Sequence, residues 1–186
     1  MAAVRGVPRG FPWGDELVTD AELACVVEIP KGSRNKYEYD PELGGIKLDR
    51  FISASVVYPT DYGYVPNTLM PDGDALDVLV CVSEPTFPGC IVPSKVVGLF
   101  KLADEKGDDD HILCVPCSDP GWNELDDVDD LPAQLRAEIT HFFTVYKDLD
   151  KDRHSEVRGW GDRAAALGTI EQARRRYLDP AGLVSS

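Results

Sequence analysis

The sequence DGDALDVLVCV at residues 72–82 joins an acidic turn to an apolar, β-branched run. Gly73 permits a tight turn, and the run that begins at Asp77 has the composition of a buried strand. Similar apolar runs occur at 96–100 and 111–115, and Gly and Pro separate the runs at short intervals. Many short strands with turn residues between them are typical of a barrel or a sandwich rather than of alternating βαβ units.

Two segments upstream also predict strands. An apolar run at 26–29 contains Glu28 and ends at Pro30. In residues 35–39 the side chains alternate, so that Lys36 and Glu38 share one face of a strand while Tyr37 and Tyr39 share the other.

Helices are predicted only in the last third of the chain. Pro132 follows Asp129-Asp130, which predicts a capped helix start with proline in the first turn. A second helix is predicted after Asp162. Apolar residues recur at helical spacing in both segments: Leu135, Ile139, Phe142, Phe143 and Tyr146 in the first, and Leu167, Ile170 and Tyr177 in the second. The pattern as a whole predicts an α+β, mainly β fold, a small barrel with helices packed on it.

Length and charge limit the classes of function. The chain has 186 residues, 43% of them apolar, which suits one domain, predicted at 21–179 between a flexible extension at 1–20 and a flexible tail at 180–186. A net charge of −14 argues against binding to nucleic acid or to anionic membranes. No apolar stretch approaches the ~20 residues of a membrane span, and the acidic N-terminal region does not resemble a secretory signal. These features predict a cytoplasmic protein.

The cysteines support the same location. Their odd number and their positions in β-like runs predict buried free thiols in a reducing compartment. Cys114 and Cys117 have the spacing of a metal or redox pair, but no second ligand pair lies nearby in the sequence. The five are Cys25, Cys81, Cys90, Cys114 and Cys117.

Two acidic segments indicate a metal site. Residues 72–77 carry three aspartates, and residues 104–110, between two predicted strands, carry five acids and one base. Oxygen ligands alone suit Mg²⁺, Ca²⁺ or Mn²⁺ rather than zinc. An EF-hand is excluded because Leu76 and Asp77 occupy positions 5 and 6 of the loop, where an oxygen ligand and Gly are required. A third acidic run at 119–130 is interpreted as a solvated loop.

Cationic and tyrosine side chains add a possible phosphate site. Lys36, Arg50, Lys147 and the tyrosine-rich segment 58–64 could contact phosphate oxygens. Ordinary surface charge is the alternative for Lys36 and Arg50, and core packing is the alternative for the tyrosines. The residues by themselves therefore indicate a divalent-metal site that acts on a phosphate ester or anhydride.

The motifs of the chain resemble those of the soluble, magnesium-dependent inorganic pyrophosphatases. The resemblance runs from about Cys25 to Tyr177 in the same order and spacing. The matching motifs are VEIP at 27–30, KYE at 36–38, LDR at 48–50, YPTDYGY at 58–64, DGDALD at 72–77, DE at 104–105 and HFFTVYKD at 141–148.

The resemblance implies a closed five-stranded, OB-like β-barrel with flanking α-helices, commonly assembled as a hexamer. It implies hydrolysis of pyrophosphate to two phosphates with several Mg²⁺ ions, for which Mn²⁺ could substitute. The implied metal ligands are Asp72, Asp77, Asp104 and Asp109, with Glu28 as a peripheral acid. Asp74 would take a proton from the attacking water. Phosphate contacts would be Lys36, Arg50, Tyr62, Tyr146 and Lys147, with Glu38 and Tyr58 in the surrounding shell.

Two positions depart from the family pattern. Ala75 stands where Pro or Glu is usual, and only a small effect on loop stiffness is expected. His111 stands where members usually carry a phosphate-contacting Lys, and it is expected to be a weaker contact to phosphate. Another Mg²⁺-dependent phosphohydrolase and a non-catalytic OB-like binding paralogue are the alternative functions.

Overall fold

The computed structural model describes residues 22–179. The predicted extension at 1–20 and the tail at 180–186 lie outside this range. The described part forms nine strands, two α-helices and one short 3₁₀ helix. The strands are β1 (Glu22–Ile29), β2 (Asn35–Asp40), β3 (Gly45–Phe51), β4 (Asp61–Val65), β5 (Leu76–Val80), β6 (Ile91–Asp104), β7 (Gly107–Asp108), β8 (His111–Pro116) and β9 (Ser155–Gly161), and the helices are α1 (Ala133–Val145) and α2 (Arg163–Leu178).

Five strands close on themselves to form a barrel. Their order is β1-β4-β5-β8-β6, and a further pairing of β6 with β1 completes the ring. Strands β5 and β8 pair in parallel, and the other barrel pairs are antiparallel. Strands β7 and β9 extend β6 beyond the barrel, and β2 and β3 form a separate hairpin. The predicted closed five-stranded barrel in a mainly β, α+β fold is confirmed.

Both faces of the barrel strands are buried, which explains their continuous apolar runs. On one face, Leu79, Phe100 and Leu113 pack with residues of α1. On the other face, Val80 and Ile112 pack with residues of α2. The most buried helix residues are Ile139, Phe142 and Phe143 in α1, and Ala166, Ile170 and Ala173 in α2. Leu135, Leu167 and Tyr177 of the predicted stripes are only half-buried.

Strands β1 and β4 approach closely at Gly63. A Cβ atom at this position would lie 1.9 Å from the carbonyl oxygen of Val26 and 2.9 Å from Cα of Val27. Only glycine therefore allows the two backbones to pair at this point of the barrel.

One predicted helix start is wrong and the other is confirmed. Helix α1 has Pro132 as its N-cap and no side-chain cap, because the chain first forms the 3₁₀ helix Val128–Asp130. The Asp130 carboxylate accepts instead from the backbone amides of Asp126 and Asp127, at 3.0 Å each. Helix α2 begins after Asp162 as predicted, and the Asp162 side chain caps it by accepting from the Ala165 amide at 2.8 Å.

The remaining expectations concern membranes and cysteines. Neither helix within residues 22–179 is long and apolar enough to cross a membrane. All five cysteines fall in that range and are free; Cys25, Cys81 and Cys114 are buried, whereas Cys90 and Cys117 are half-buried.

Candidate active site

The two acidic segments meet because β5 and β8 are parallel neighbours. Val78 pairs with Ile112, so the residues that precede them, Asp77 and His111, lie side by side where both strands begin. The turn before β5 also reaches the segment before β8: Lys106 Nζ lies 3.1 Å from Asp74 Oδ2 and 3.7 Å from Asp72 Oδ2. Side chains 32 residues apart in sequence thus join one acidic cluster.

The centre of the cluster consists of Asp77, Asp109 and His111. One donor atom from each lies within 4.8 Å of the other two. His111 Nε2 is 3.5 Å from Asp109 Oδ1 and 3.7 Å from Asp77 Oδ2. The Tyr62 hydroxyl donates a hydrogen bond to Asp77 Oδ2. These residues bring two carboxylates and one imidazole to a common point.

The ionisation of this centre reflects its burial and its crowding. Burial, with the charge of Asp109, raises the pKa of Asp77 to about 7 despite the opposing effect of His111. For Asp109, burial acts to raise the pKa, but the neighbouring His111 outweighs it and the pKa falls below its ordinary value. Burial acts to lower the pKa of His111, but the two carboxylates raise it above its ordinary value. Carboxylates this close disfavour ionisation together unless a cation joins them.

Glu28 adds a further acid beside this centre. It lies on β1, and its Oε1 accepts a hydrogen bond of 2.6 Å from the Tyr39 amide. Burial raises the pKa of Glu28 to about 8, and the charge of Asp77 contributes in the same direction. Glu28 is therefore electrostatically coupled to the cluster.

Lys147 connects the end of α1 to the second acidic segment. This lysine is 5% exposed, and its Nζ lies 3.0 Å from Asp104 Oδ2 and 3.2 Å from Glu105 Oε2. Its charge also lowers the pKa of Asp109. Tyr146, next to it, is buried and packs against the ring of Phe142. The C-terminal end of α1 thus places a tyrosine and a lysine at the cluster.

The β2–β3 hairpin places two more cations nearby. Lys36 and Arg50 are direct partners across the hairpin. Lys36 pairs with Glu38 on the same strand face, as predicted, and lies 3.6 Å from Asp49. Arg50 pairs with Asp49 at 2.9 Å. The Lys36 charge lowers the pKa of both Glu28 and Asp77, which locates this cation within electrostatic range of the acidic centre.

Buried tyrosines connect the hairpin to the core of the site. The Tyr58 ring lies 5.4 Å from that of Tyr62 and 4.6 Å from that of Phe142. The charge of Arg50 acts on the pKa of Tyr58, which burial nevertheless raises well above its ordinary value. The structure therefore brings all the predicted site residues into one region.

Lys106 was not among the predicted site residues, and His111 was not predicted as a metal ligand. Lys106 is the only basic residue in the acidic segment 104–110, and this position in the sequence could have indicated that it belongs to the site. His111 was expected to be a weak phosphate contact, yet the structure places it between two carboxylates. The predicted ligands were all oxygens, and the structure adds one nitrogen donor to them.

The donor set fits a divalent cation. The carboxylate oxygens of Asp77 and Asp109 suit hard divalent ions such as Mg²⁺ and Mn²⁺, and the imidazole nitrogen of His111 suits transition-metal ions. Neither ring nitrogen of His111 has a hydrogen-bond partner within residues 22–179, which is the state expected of a ligand awaiting an ion.

The chain resembles known proteins in both sequence and fold. A profile of the family described as inorganic pyrophosphatase matches residues 25–178. The inorganic pyrophosphatase of Streptomyces coelicolor is 49% identical over 161 residues, which cover 87% of this chain and 99% of the relative. That of Methanosarcina acetivorans is 50% identical over 163 residues, covering 87% and 96%. The crystal structure of the Thermus thermophilus inorganic pyrophosphatase superposes with a TM-score of 0.84 at 41% identity, over 95% of this chain and 99% of that one.

Proposed function

Because the chain belongs to the inorganic pyrophosphatase family, we infer that it is a hydrolase that splits pyrophosphate into two phosphate ions. The observation that carries this inference is the family match over residues 25–178. The convergence of two acidic segments with Lys36, Arg50 and Lys147 supports it. A phosphoric anhydride is a polyanion, and a site that holds both carboxylates and fixed cations suits it once divalent ions neutralise the acids.

Mg²⁺ is the proposed metal, with several ions per site and Mn²⁺ as a possible substitute. Asp72, Asp77, Asp104 and Asp109 would hold the ions, and Glu28 would contribute from the periphery. When bound, the ions would neutralise phosphate charge and lower the pKa of the attacking water. The raised pKa values of Glu28 and Asp77 support this role, since a nearby cation would favour the ionised form of both groups at neutral pH.

The proposed phosphate contacts are Lys36, Arg50, Tyr62, Tyr146 and Lys147. Lys36, Arg50 and Lys147 each form ion pairs with carboxylates. Each could form ion pairs with phosphate oxygens instead. Arg50 Nε has no hydrogen-bond partner within residues 22–179, and its ion-pair contact there is Asp150 Oδ2 at 3.9 Å, so the guanidinium is held mainly by longer-range attraction on this side. Fixed donors of this kind stabilise charge on the two phosphoryl groups as the bridging bond breaks.

Asp74 is the proposed base that takes the proton from water. Its side chain is 54% exposed, compared with 30% for Asp72, 27% for Asp77 and 29% for Asp109. Its ion-pair contact is the flexible, exposed Lys106 rather than a buried group. This exposure leaves the carboxylate open to a water molecule, and no covalent intermediate is required.

Cytoplasmic location and homohexamer assembly complete the proposal. The free cysteines support a reducing compartment. Assembly remains a prediction from the family resemblance, and light scattering would test it.

The first experiment measures phosphate release from pyrophosphate with Mg²⁺ and with EDTA, alongside ATP as a competing substrate. We expect metal-dependent release from pyrophosphate well above that from ATP. Equal or faster release from ATP would indicate a different phosphohydrolase, and no release from either substrate would indicate a non-catalytic paralogue.

The second experiment tests the base. Asp74→Asn should lower kcat about 10²–10⁴-fold, the usual contribution of a general base, while Mg²⁺ binding by calorimetry stays close to wild type. Asp108→Asn is the matched control, because Asp108 lies in the acidic segment 104–110 but is 80% exposed and pairs with Arg158 at 2.5 Å. Near-wild-type turnover in Asp74→Asn would contradict the assignment.

A further inference from the structure

We propose that His111 is a nitrogen ligand of the divalent cation held by Asp77 and Asp109, and that it shifts the metal preference of this site toward Mn²⁺ relative to Mg²⁺. The inference deepens the proposed function and rests on its assignment of Asp77 and Asp109 as metal ligands. It differs from the expectation that this histidine contacts phosphate.

The backbone and the surrounding rings hold His111 in place. It is the first residue of β8, and the parallel pairing of β5 with β8 sets it beside Asp77. Its ring lies 4.9 Å from the ring of Phe143 and meets the ring of Tyr62 edge-on at 5.5 Å. The imidazole is therefore packed among aromatic side chains and cannot turn out toward solvent.

The imidazole is buried, and its contacts with the two carboxylates are longer than good hydrogen bonds. His111 is 1% exposed, and neither of its ring nitrogens has a hydrogen-bond partner among the described residues. A buried polar group left unpaired costs free energy. Its Nε2 points at two carboxylates without forming a hydrogen bond to either, so a species that binds all three groups would satisfy it.

The distances suit a shared cation. Ligand atoms about 2.1 Å from one ion lie about 3.0 Å apart at right angles and about 4.2 Å apart on opposite sides. His111 Nε2 lies 3.5 Å from Asp109 Oδ1 and 3.7 Å from Asp77 Oδ2, between those limits. Small side-chain movements would bring all three donors to one ion.

A histidine here has a different chemistry from a lysine. An ammonium group offers donors and no lone pair, so it repels a cation. A neutral imidazole offers a lone pair, and Mn²⁺ accepts nitrogen ligands more readily than Mg²⁺ does. The position therefore exchanges an ammonium group for an imidazole that becomes a metal ligand once a bound ion displaces its proton.

The test uses Mn²⁺ as the probe with the full-length protein. Pulsed electron paramagnetic resonance at one equivalent of Mn²⁺ and at saturation should show ¹⁴N modulation from a coordinated imidazole. His111→Lys should abolish the modulation and lower the ratio of Mn²⁺ to Mg²⁺ affinity at least 10-fold. His141→Gln is the matched control, because His141 is exposed on α1, and it should leave the modulation unchanged.

The outcomes separate this inference from the proposed metal ligands. If Mn²⁺ affinity falls at least 10-fold in Asp77→Asn but the wild type shows no ¹⁴N modulation at either loading, His111 is not a ligand and the inference is overturned. If Asp77→Asn binds Mn²⁺ as tightly as the wild type, the metal assignment itself is wrong. The wild-type spectrum decides the first question even if a variant fails to fold.

Discussion

The substitution Glu28→Gln should stabilise the metal-free protein at alkaline pH. Glu28 is largely buried on β1 beside Asp77, and burial raises its pKa from 4.5 to about 8. Its Oε1 accepts the Tyr39 amide at 2.6 Å, and a glutamine oxygen can accept the same hydrogen bond. The substitution therefore removes the ionisation of this side chain while its main contact is kept.

The sign and size follow from proton linkage. Between pH 4.5 and 8 the folded state keeps the Glu28 proton while the unfolded state releases it, so the free energy of unfolding falls as the pH rises. The 3.5-unit difference corresponds to about 5 kcal/mol at most, at about 1.4 kcal/mol per unit. The stabilising contribution of the protonated acid is fully present below pH 4.5 and is lost above about pH 8.

The assay is urea unfolding in EDTA at several pH values from about 5 to 9, at one protein concentration. We expect Glu28→Gln to match the wild type at the acidic end and to exceed its free energy of unfolding by several kcal/mol at the alkaline end. Glu42→Gln makes the same chemical change at an exposed position and should follow the wild type throughout. Parallel pH profiles for Glu28→Gln and wild type would refute the reasoning.

Two further substitutions test the barrel and the substrate contacts. Gly63→Ala should lower Tm by more than 10 °C or prevent folding, because the added Cβ would lie 1.9 Å from the Val26 carbonyl oxygen. An unchanged Tm by calorimetry would show that β1 and β4 can separate at low cost. Arg50→Ala should lower kcat/KM about 100-fold or more, equivalent to about 3 kcal/mol of transition-state stabilisation. Steady-state kinetics would show Arg50 to be only a binding residue if KM alone rises.

In the absence of cations, the acidic cluster lowers the stability of the folded chain. The pKa of Asp77 is raised to about 7 and that of Glu28 to about 8, which means that the fold opposes their ionisation. Groups whose pKa is shifted far from its ordinary value are common at functional sites. Divalent ions that bind only the folded state would recover this free energy, so added Mg²⁺ should reduce the advantage of Glu28→Gln.

Much of the local structure could be predicted from the sequence. The continuous apolar runs at 77–82, 96–100 and 111–115 predicted strands at the right places, although β5 ends at Val80, because side chains on both strand faces are buried. The start of α2 after Asp162 was also predicted correctly, because the carboxylate that caps this helix and its amide partner are only three residues apart. The acidic segments were also evident as candidate ligands, since ligand chemistry depends on residue type.

Only the tertiary structure decided which groups meet. The pairing of β5 with β8 joins residues 34 positions apart in sequence and sets Asp77 beside His111. The same dependence on context directs the Asp130 carboxylate to a 3₁₀ helix rather than to α1. Local propensity acts over a few residues, whereas strand pairing and burial depend on the closure of long loops and on the packing of the whole barrel. The sequence therefore specified which side chains could act as ligands, and the closed barrel determined which of them lie together.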